Sequence, residues 1–265
     1  MKFFSEPDRQ YHRMSGVYMT AHLLMAAFQG RDEFRVRMTT PREDTHAFEF
    51  GRLCHTMLLE PEKFDCLVGG PVNPRTGKTF GRDSQKFRDW ADAQNRPSVS
   101  PEELILANKM ADSVLRHPVG AKLLADGAAE QVTRVRYADL PCQIRVDWLT
   151  PRYIVDYKST SDIYGFSMSI EQYGYLIQAA FYQAVVHVVT GEYLPYFLIA
   201  TEKSDEAPTV VWKLEPLAIK NQRTANELKL HEIRSDFLEI NETRADVSLI
   251  EQRAEEVLFL TTENV

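Results

Sequence analysis

Long hydrophobic runs are missing from this 265-residue chain, and no stretch approaches the ~20 apolar residues that a membrane helix needs. Cysteine is scarce. Cys54, Cys66 and Cys142 are odd in number and unpaired in spacing, which argues against a disulfide framework. Three thiols also cannot supply the four ligands of an iron–sulfur cluster; each fits a small buried hydrophobe. Internal repeats and low-complexity stretches are lacking. The opening Met1-Lys2-Phe3-Phe4-Ser5-Glu6-Pro7-Asp8 turns acidic before any signal-peptide core develops, so the expected location is cytoplasmic.

Positive charge is also in short supply, with a formal net charge of −7. The deficit is local. Thr224 to Val265 carries ten acidic residues against four basic ones, which leaves the rest of the chain near neutral. Within that body, residues 71–90 hold Arg75, Lys78, Arg82, Lys86 and Arg88 against Asp83 and Asp89. Such a segment is compatible with phosphate contacts, although charge alone fits a solvated loop and helix face better.

What remains is the composition of an ordinary globular protein, 44% hydrophobic and 26% charged, long enough for one substantial core. Helices are predicted over 17–29, over 46–60 before Pro61, and around 84–93. Another is predicted over 101–116, with Ser100 as N-cap and Glu103 completing a capping box. Pro71, Pro74, Gly77 and Gly81 mark a loop over 71–82. Strands follow at 131–137, 142–149 and 153–158, then one long helix over 167–190, strands near 193–201 and 210–214, and a helical tail from about Ala218. The expected fold is α/β (α+β): a mixed central sheet built on a three-stranded antiparallel meander, flanked by helices, with a helical N-terminal part.

The meander carries the chemistry. In Cys142-Gln143-Ile144-Arg145-Val146-Asp147-Trp148-Leu149 and Tyr153-Ile154-Val155-Asp156-Tyr157-Lys158, apolar and polar residues alternate as in half-buried strands. Ile144, Val146 and Trp148 are expected on one face, with Arg145 and Asp147 on the other. A turn centred on Pro151-Arg152 pairs Leu149 with Ile154 and sets Asp147 opposite Asp156. Directly opposed Cβ atoms lie roughly 4.5–5.5 Å apart, where like charges destabilise. Two carboxylates so placed need a proton or a cation between them, and hard divalent ions prefer such oxygen ligands. Lys158 falls on the same face.

Singly, these residues are weak signals. A strand Asp is usually solvated, and a lone His in a helix, here His55, is more often a core or surface residue than a ligand. Glu130, before the first strand, lands near the level of Asp147. Gln178 and Tyr182, four apart, share one helix face.

Together they resemble a known family. The matching pieces are Gly51-Arg52-Leu53-Cys54-His55-Thr56-Met57-Leu58-Leu59-Glu60-Pro61-Glu62-Lys63-Phe64, then Glu130, Arg145-Val146-Asp147 and Asp156-Tyr157-Lys158-Ser159-Thr160. Tyr173-Gly174-Tyr175-Leu176-Ile177-Gln178-Ala179-Ala180-Phe181-Tyr182 completes them. The set is similar to the RecB-like branch of the PD-(D/E)xK nuclease superfamily. Within it, the RecE-type exonuclease domain (exodeoxyribonuclease VIII-like) is the nearest match, from about residue 10 to about residue 215.

The resemblance implies a restriction-endonuclease-like core over residues 1–217, with 218–265 as an acidic helical extension that matches nothing in the family. It implies a Mg²⁺ or Mn²⁺ ion held by His55, Asp147, Asp156 and the Tyr157 carbonyl. Lys158 is implied to position the attacking water, Glu130 to be an accessory acid, and Gln178 and Tyr182 to orient the site and contact the strand. Val146 stands where Pro is common, and Asp156 where Glu is an alternative.

The implied activity is a 5′→3′ exonuclease on duplex DNA ends in phage or bacterial recombination and repair. A ring trimer or tetramer and a single-strand annealing protein are the implied partners. A RecB-like endonuclease or single-strand nuclease remains an alternative, as does a catalytically silent DNA-binding or assembly module.

Overall fold

The computed structural model describes residues 2–40, 45–81, 84–94 and 97–243, apart from the Asp92 side chain. Ten α-helices and seven strands are described: α1 (Asp8–Arg13), α2 (Ala21–Gln29), α3 (Arg31–Thr39), α4 (His46–Leu59), β1 (Leu67–Val68), α5 (Gln85–Gln94), β2 (Ser98–Val99), α6 (Pro101–Arg116), α7 (Pro118–Leu123), β3 (Ala128–Tyr137), β4 (Leu140–Leu149), β5 (Ile154–Thr160), α8 (Phe166–Gln172), α9 (Tyr175–Thr190), β6 (Tyr196–Glu202), β7 (Thr209–Lys213) and α10 (Pro216–Thr243). No described helix is long and apolar enough to cross a membrane.

Five strands form one mixed sheet in the order β3-β4-β5-β6-β7. β3, β4 and β5 are the antiparallel meander, β6 runs parallel to β5, and β7 returns antiparallel. The β3–β4 connection is two residues, Ala138 and Asp139, both at positive φ (49° and 59°). Such a turn matches the right-handed twist of the flanking strands. The β5–β6 pairing needs a crossover, which α8 and α9 supply.

Both sheet faces are covered. On one side β3–β6 pack Val135, Ile144, Val146, Ile154, Leu198 and Ala200 against α2, α3, α9 and α10. On the other, Val155, Tyr157 and Ile199 pack against α4 and α6. β5 therefore sits between two cores, which is why its first four residues are buried without alternation.

Local signals explain most element ends. Ser100 accepts the Glu103 amide at 3.0 Å while the Glu103 carboxylate accepts the Ser100 amide at 2.6 Å, the reciprocal capping box expected for α6. α4 stops just before Pro61.

Three expectations change. α2 begins at Ala21, capped by Thr20, because Met19 is drawn into the sheet: its amide donates to the Pro141 carbonyl at 2.7 Å and its carbonyl accepts from Gln143 at 2.9 Å. The helix expected over 167–190 is two helices, broken at Gly174 in the left-handed region (φ +67°). Trp148 joins the α4–α6 core, opposite to the face of Ile144 and Val146, so the alternation along β4 resets at Asp147.

The acidic tail splits into two parts. Through Thr243 it is one helix whose Ile219, Leu230, Ile233, Phe237 and Ile240 enter the main core. Residues 244–265 of the expected extension lie outside the described residues.

Candidate metal centre and its lysine

Strand geometry builds the site. The β4–β5 ladder has the expected register, Leu149 with Ile154 and Trp148 with Val155, and then parts. The next amide on β5 that faces β4, that of Tyr157, donates to Asp147 Oδ2 at 2.8 Å. A side chain thus takes the place of a backbone acceptor. In an extended strand the N–H and C=O of one residue point to the same side, so the Tyr157 carbonyl also faces this opening. Its ring lies in the α4–α6 core, edge-on to the His55 ring with centroids 5.3 Å apart.

On the other side of Asp147, the β3–β4 ladder skips one pair. Ala129 pairs with Trp148 and Gln131 with Val146, leaving Glu130 and Asp147 at the position between. Glu130 has φ +49°, a conformation that costs a non-glycine residue roughly 1–2 kcal/mol. α4 brings His55 over the same place. Its Nδ1 is 3.6 Å from Asp147 Oδ2 and 3.7 Å from Glu130 Oε1. Ligand atoms of His55, Glu130 and Asp147 all lie within 4.8 Å of one another. Two carboxylates and one imidazole suit a divalent ion such as Mn²⁺ or Mg²⁺.

Charge compensation is explicit. Arg145 is 2.8 Å from Glu130 Oε2 and 2.6 Å from Asp8 on α1, with its guanidinium 4.8 Å from the Tyr11 ring centre. Burial alone would raise the Glu130 carboxyl, but His55 and Arg145 outweigh it and hold the group below its ordinary value. Burial alone would lower His55, but Asp147 and Glu130 outweigh it and hold the imidazole above its ordinary value. Each oxygen of Glu130 then has its own partner: Oε2 is tied to Arg145, and Oε1 faces His55 and Asp147.

Asp156 lies outside this trio. It is 2% exposed on the α9 side of β5, its Oδ2 2.7 Å from Lys158 Nζ. Gln178 joins the pair, donating Nε2 to Asp156 at 3.0 Å and accepting from Lys158 at 3.3 Å. Burial pushes the Asp156 carboxyl upward against the Lys158 charge, with Asp147 adding to the rise. Burial works against the Lys158 ammonium, but Asp156 and Asp147 outweigh it, so the lysine stays cationic. The Tyr175 ring centre is 5.0 Å from its Nζ.

The structure therefore gathers His55, Glu130 and Asp147 around one point, and Asp156, Lys158 and Gln178 beside it. Glu130, an accessory acid by resemblance, is a full member of the trio. Tyr182 shares the α9 face of Gln178 but is buried in the main core. Arg145, Asp8 and Tyr11 were not singled out as site residues. The sequence signal for Arg145 was its polar position two residues before Asp147; nothing local marks Asp8. Arg75, Lys78, Lys86 and Arg88 of the basic segment are exposed, while Arg82 and Asp83 lie outside the described residues.

Comparison with known proteins bears on the fold and the family. Among solved structures, the fold is similar to that of a "putative exonuclease" from Eubacterium rectale. The TM-score is 0.63 at 15% identity, over 89% of this chain and 86% of that one. No curated protein matches the chain. The family model described as "PDDEXK-like domain of unknown function (DUF3799)" matches residues 11–243. Through α10, then, this chain belongs to the PDDEXK-like family DUF3799 and so to the PD-(D/E)xK superfamily.

Proposed function

We propose that the protein is a divalent-metal-dependent nuclease that hydrolyses DNA phosphodiesters from duplex ends. The observation that carries this is the convergence of His55, Glu130 and Asp147 within 4.8 Å, from three separate elements, beside a half-buried cationic lysine. The Eubacterium rectale neighbour, itself described as a "putative exonuclease", supports the exonuclease form of the reading.

His55, Glu130 and Asp147 would hold the ion, with the Tyr157 carbonyl on the same opening. When bound, the ion supplies Lewis-acid polarisation of a phosphoryl oxygen. The chain's own groups do the rest. Lys158 places a fixed positive charge beside the scissile phosphate, where poor solvation makes it count for more. Asp156 and Gln178 hold that ammonium in one position, so little reorganisation is needed as charge develops. Arg145 restrains Glu130 through Oε2, so that Oε1, on the side of His55 and Asp147, would be the oxygen offered to the ion.

The test is digestion of linear duplex DNA and covalently closed circles in Mg²⁺, with the 5′ and 3′ ends of the linear DNA blocked in turn. Linear DNA consumed from an unblocked end, with circles left intact, is the expected result. Cleavage of closed circles would overturn the exonuclease form, and no cleavage of either would overturn the nuclease.

A further inference from the structure

The break between α8 and α9 places an aromatic surface at the edge of the site. Gly174 is in the left-handed region, and a Cβ there would lie 3.2 Å from Met25 Cγ on α2. The chain passes close to α2 and turns, which sets Tyr173 and Tyr175 on either side of the bend. Tyr175 faces Lys158. Its ring centre is 5.9 Å from that of Tyr173, with the planes tilted by 36°. Tyr173 is 57% exposed. Upstream on the same segment, Tyr164 is 95% exposed and Met168 is 73% exposed, the two highest values among the described large hydrophobic side chains. Tyr164 lies in the turn just before Gly165, the N-cap of α8.

We propose that Tyr173, with Tyr164 and Met168, forms a stacking surface for unpaired bases of the strand whose phosphodiester lies at Lys158. This rests on the nuclease reading. Position argues for this occupant. A phosphodiester at Lys158 brings its neighbouring nucleotides past Tyr175 and Tyr173, and stacked nucleotides follow one another at roughly 3.4 Å per strand step. Charge argues for bases over phosphates: from Asp162 to Leu176 the segment holds Asp162 and Glu171 and no lysine or arginine. Chemistry agrees, because aromatic side chains stack any base with little regard to sequence. Phosphate contacts would then fall to other parts of the protein.

Binding tests this without requiring turnover. A short fluorescein-labelled single strand and an abasic strand of equal length and charge would be titrated with the protein in EDTA, read by anisotropy. Wild type is expected to hold the base-bearing strand about tenfold or more tighter, the scale of one or two base stacks. Tyr173→Ala is expected to bring the ratio toward one, and Tyr173→Phe to keep it. Tyr164→Ala and Met168→Ala should each lower it in part.

Equal binding of both strands by wild type would overturn the proposal, as would an undiminished ratio in Tyr173→Ala. If sedimentation showed these variants dissociating an oligomer while the ratio held, the face would be a contact between copies instead. DNA digestion in Mn²⁺, run in parallel, separates the two readings. Base-dependent binding without digestion would sink the nuclease and keep the surface. Digestion without base dependence would do the reverse.

Discussion

Asp147 accepts the Tyr157 amide at 2.8 Å, and it does so at the point where the β4–β5 ladder stops pairing. One carboxylate oxygen thus repairs a sheet defect while the side chain stays beside His55 and Glu130. Structure and chemistry make separable demands on this residue. Asp147→Asn keeps an oxygen acceptor for Tyr157 but removes the charge. Its melting temperature is expected to stay close to wild type in calorimetry, with DNA hydrolysis reduced by about 10³-fold or more. Asp147→Ala loses both and should also destabilise by about 1–3 kcal/mol, the cost of an unmade buried hydrogen bond.

Arg145 is expected to govern metal affinity without touching the ion. Arg145→Ala leaves Glu130 beside Asp147 with its compensating cation gone and releases Asp8 of α1. Loss of such an outer partner typically costs about 10–100-fold in metal affinity. Isothermal titration of Mn²⁺ should show that loss, with Arg145→Lys falling between the two because one ammonium cannot match the guanidinium fork.

Lys158 and Gln178 separate into charge and alignment. Lys158→Ala removes the positive charge proposed to act on the phosphate, and the rate of DNA hydrolysis should fall by about 10²–10³-fold. Gln178→Leu keeps the charge but removes the amide that joins Asp156 to Lys158. A smaller fall, mainly in kcat, is the expected result in steady-state kinetics.

How far the sequence announced these features depends on how local their causes are. The capping box of α6 and the Leu149–Ile154 register follow from residues within a few positions of one another, and both were readable. The break at Gly174 was not, because the apolar pattern runs through it and the constraint on that position is tertiary, with Met25 of α2 packed 3.2 Å from where a Cβ would sit. Met19 left its expected helix for a similar reason: it fills a stretch of β4 edge that β5 does not pair. At the site, the Asp–Asp-x-Lys spacing was visible. The rank of Glu130 was not, since it depends on a positive φ and on an arginine from the neighbouring strand.

Gly174→Ala tests the break directly. The left-handed backbone costs about 1–2 kcal/mol for an L-residue, and the added methyl must displace Met25. Thermal unfolding should show a loss of at least that size.

Acid stability has a clear carrier away from the site. Asp236 on α10 is 2% exposed, 2.6 Å from Arg31 Nε, and also paired with Arg35. The Arg31 hydrogen bond outweighs burial and holds its carboxyl below the ordinary value. A depressed carboxyl stabilises the fold above its unfolded pKa of about 3.9 and loses that contribution as pH falls through the folded value. Urea unfolding of Asp236→Asn should therefore differ most from wild type above about pH 5. The two curves should converge on acidification.

On the proposed function, His55, Glu130 and Asp147 hold the divalent ion that phosphodiester hydrolysis needs. The most direct measurement is hydrolysis of linear duplex DNA by EDTA-stripped protein as Mn²⁺ is added back, for wild type and Asp147→Asn side by side. Activity that rises with Mn²⁺ in wild type and stays at background in the variant is the predicted result. Full activity in EDTA, or equal Mn²⁺-dependent rates in the two proteins, would contradict it.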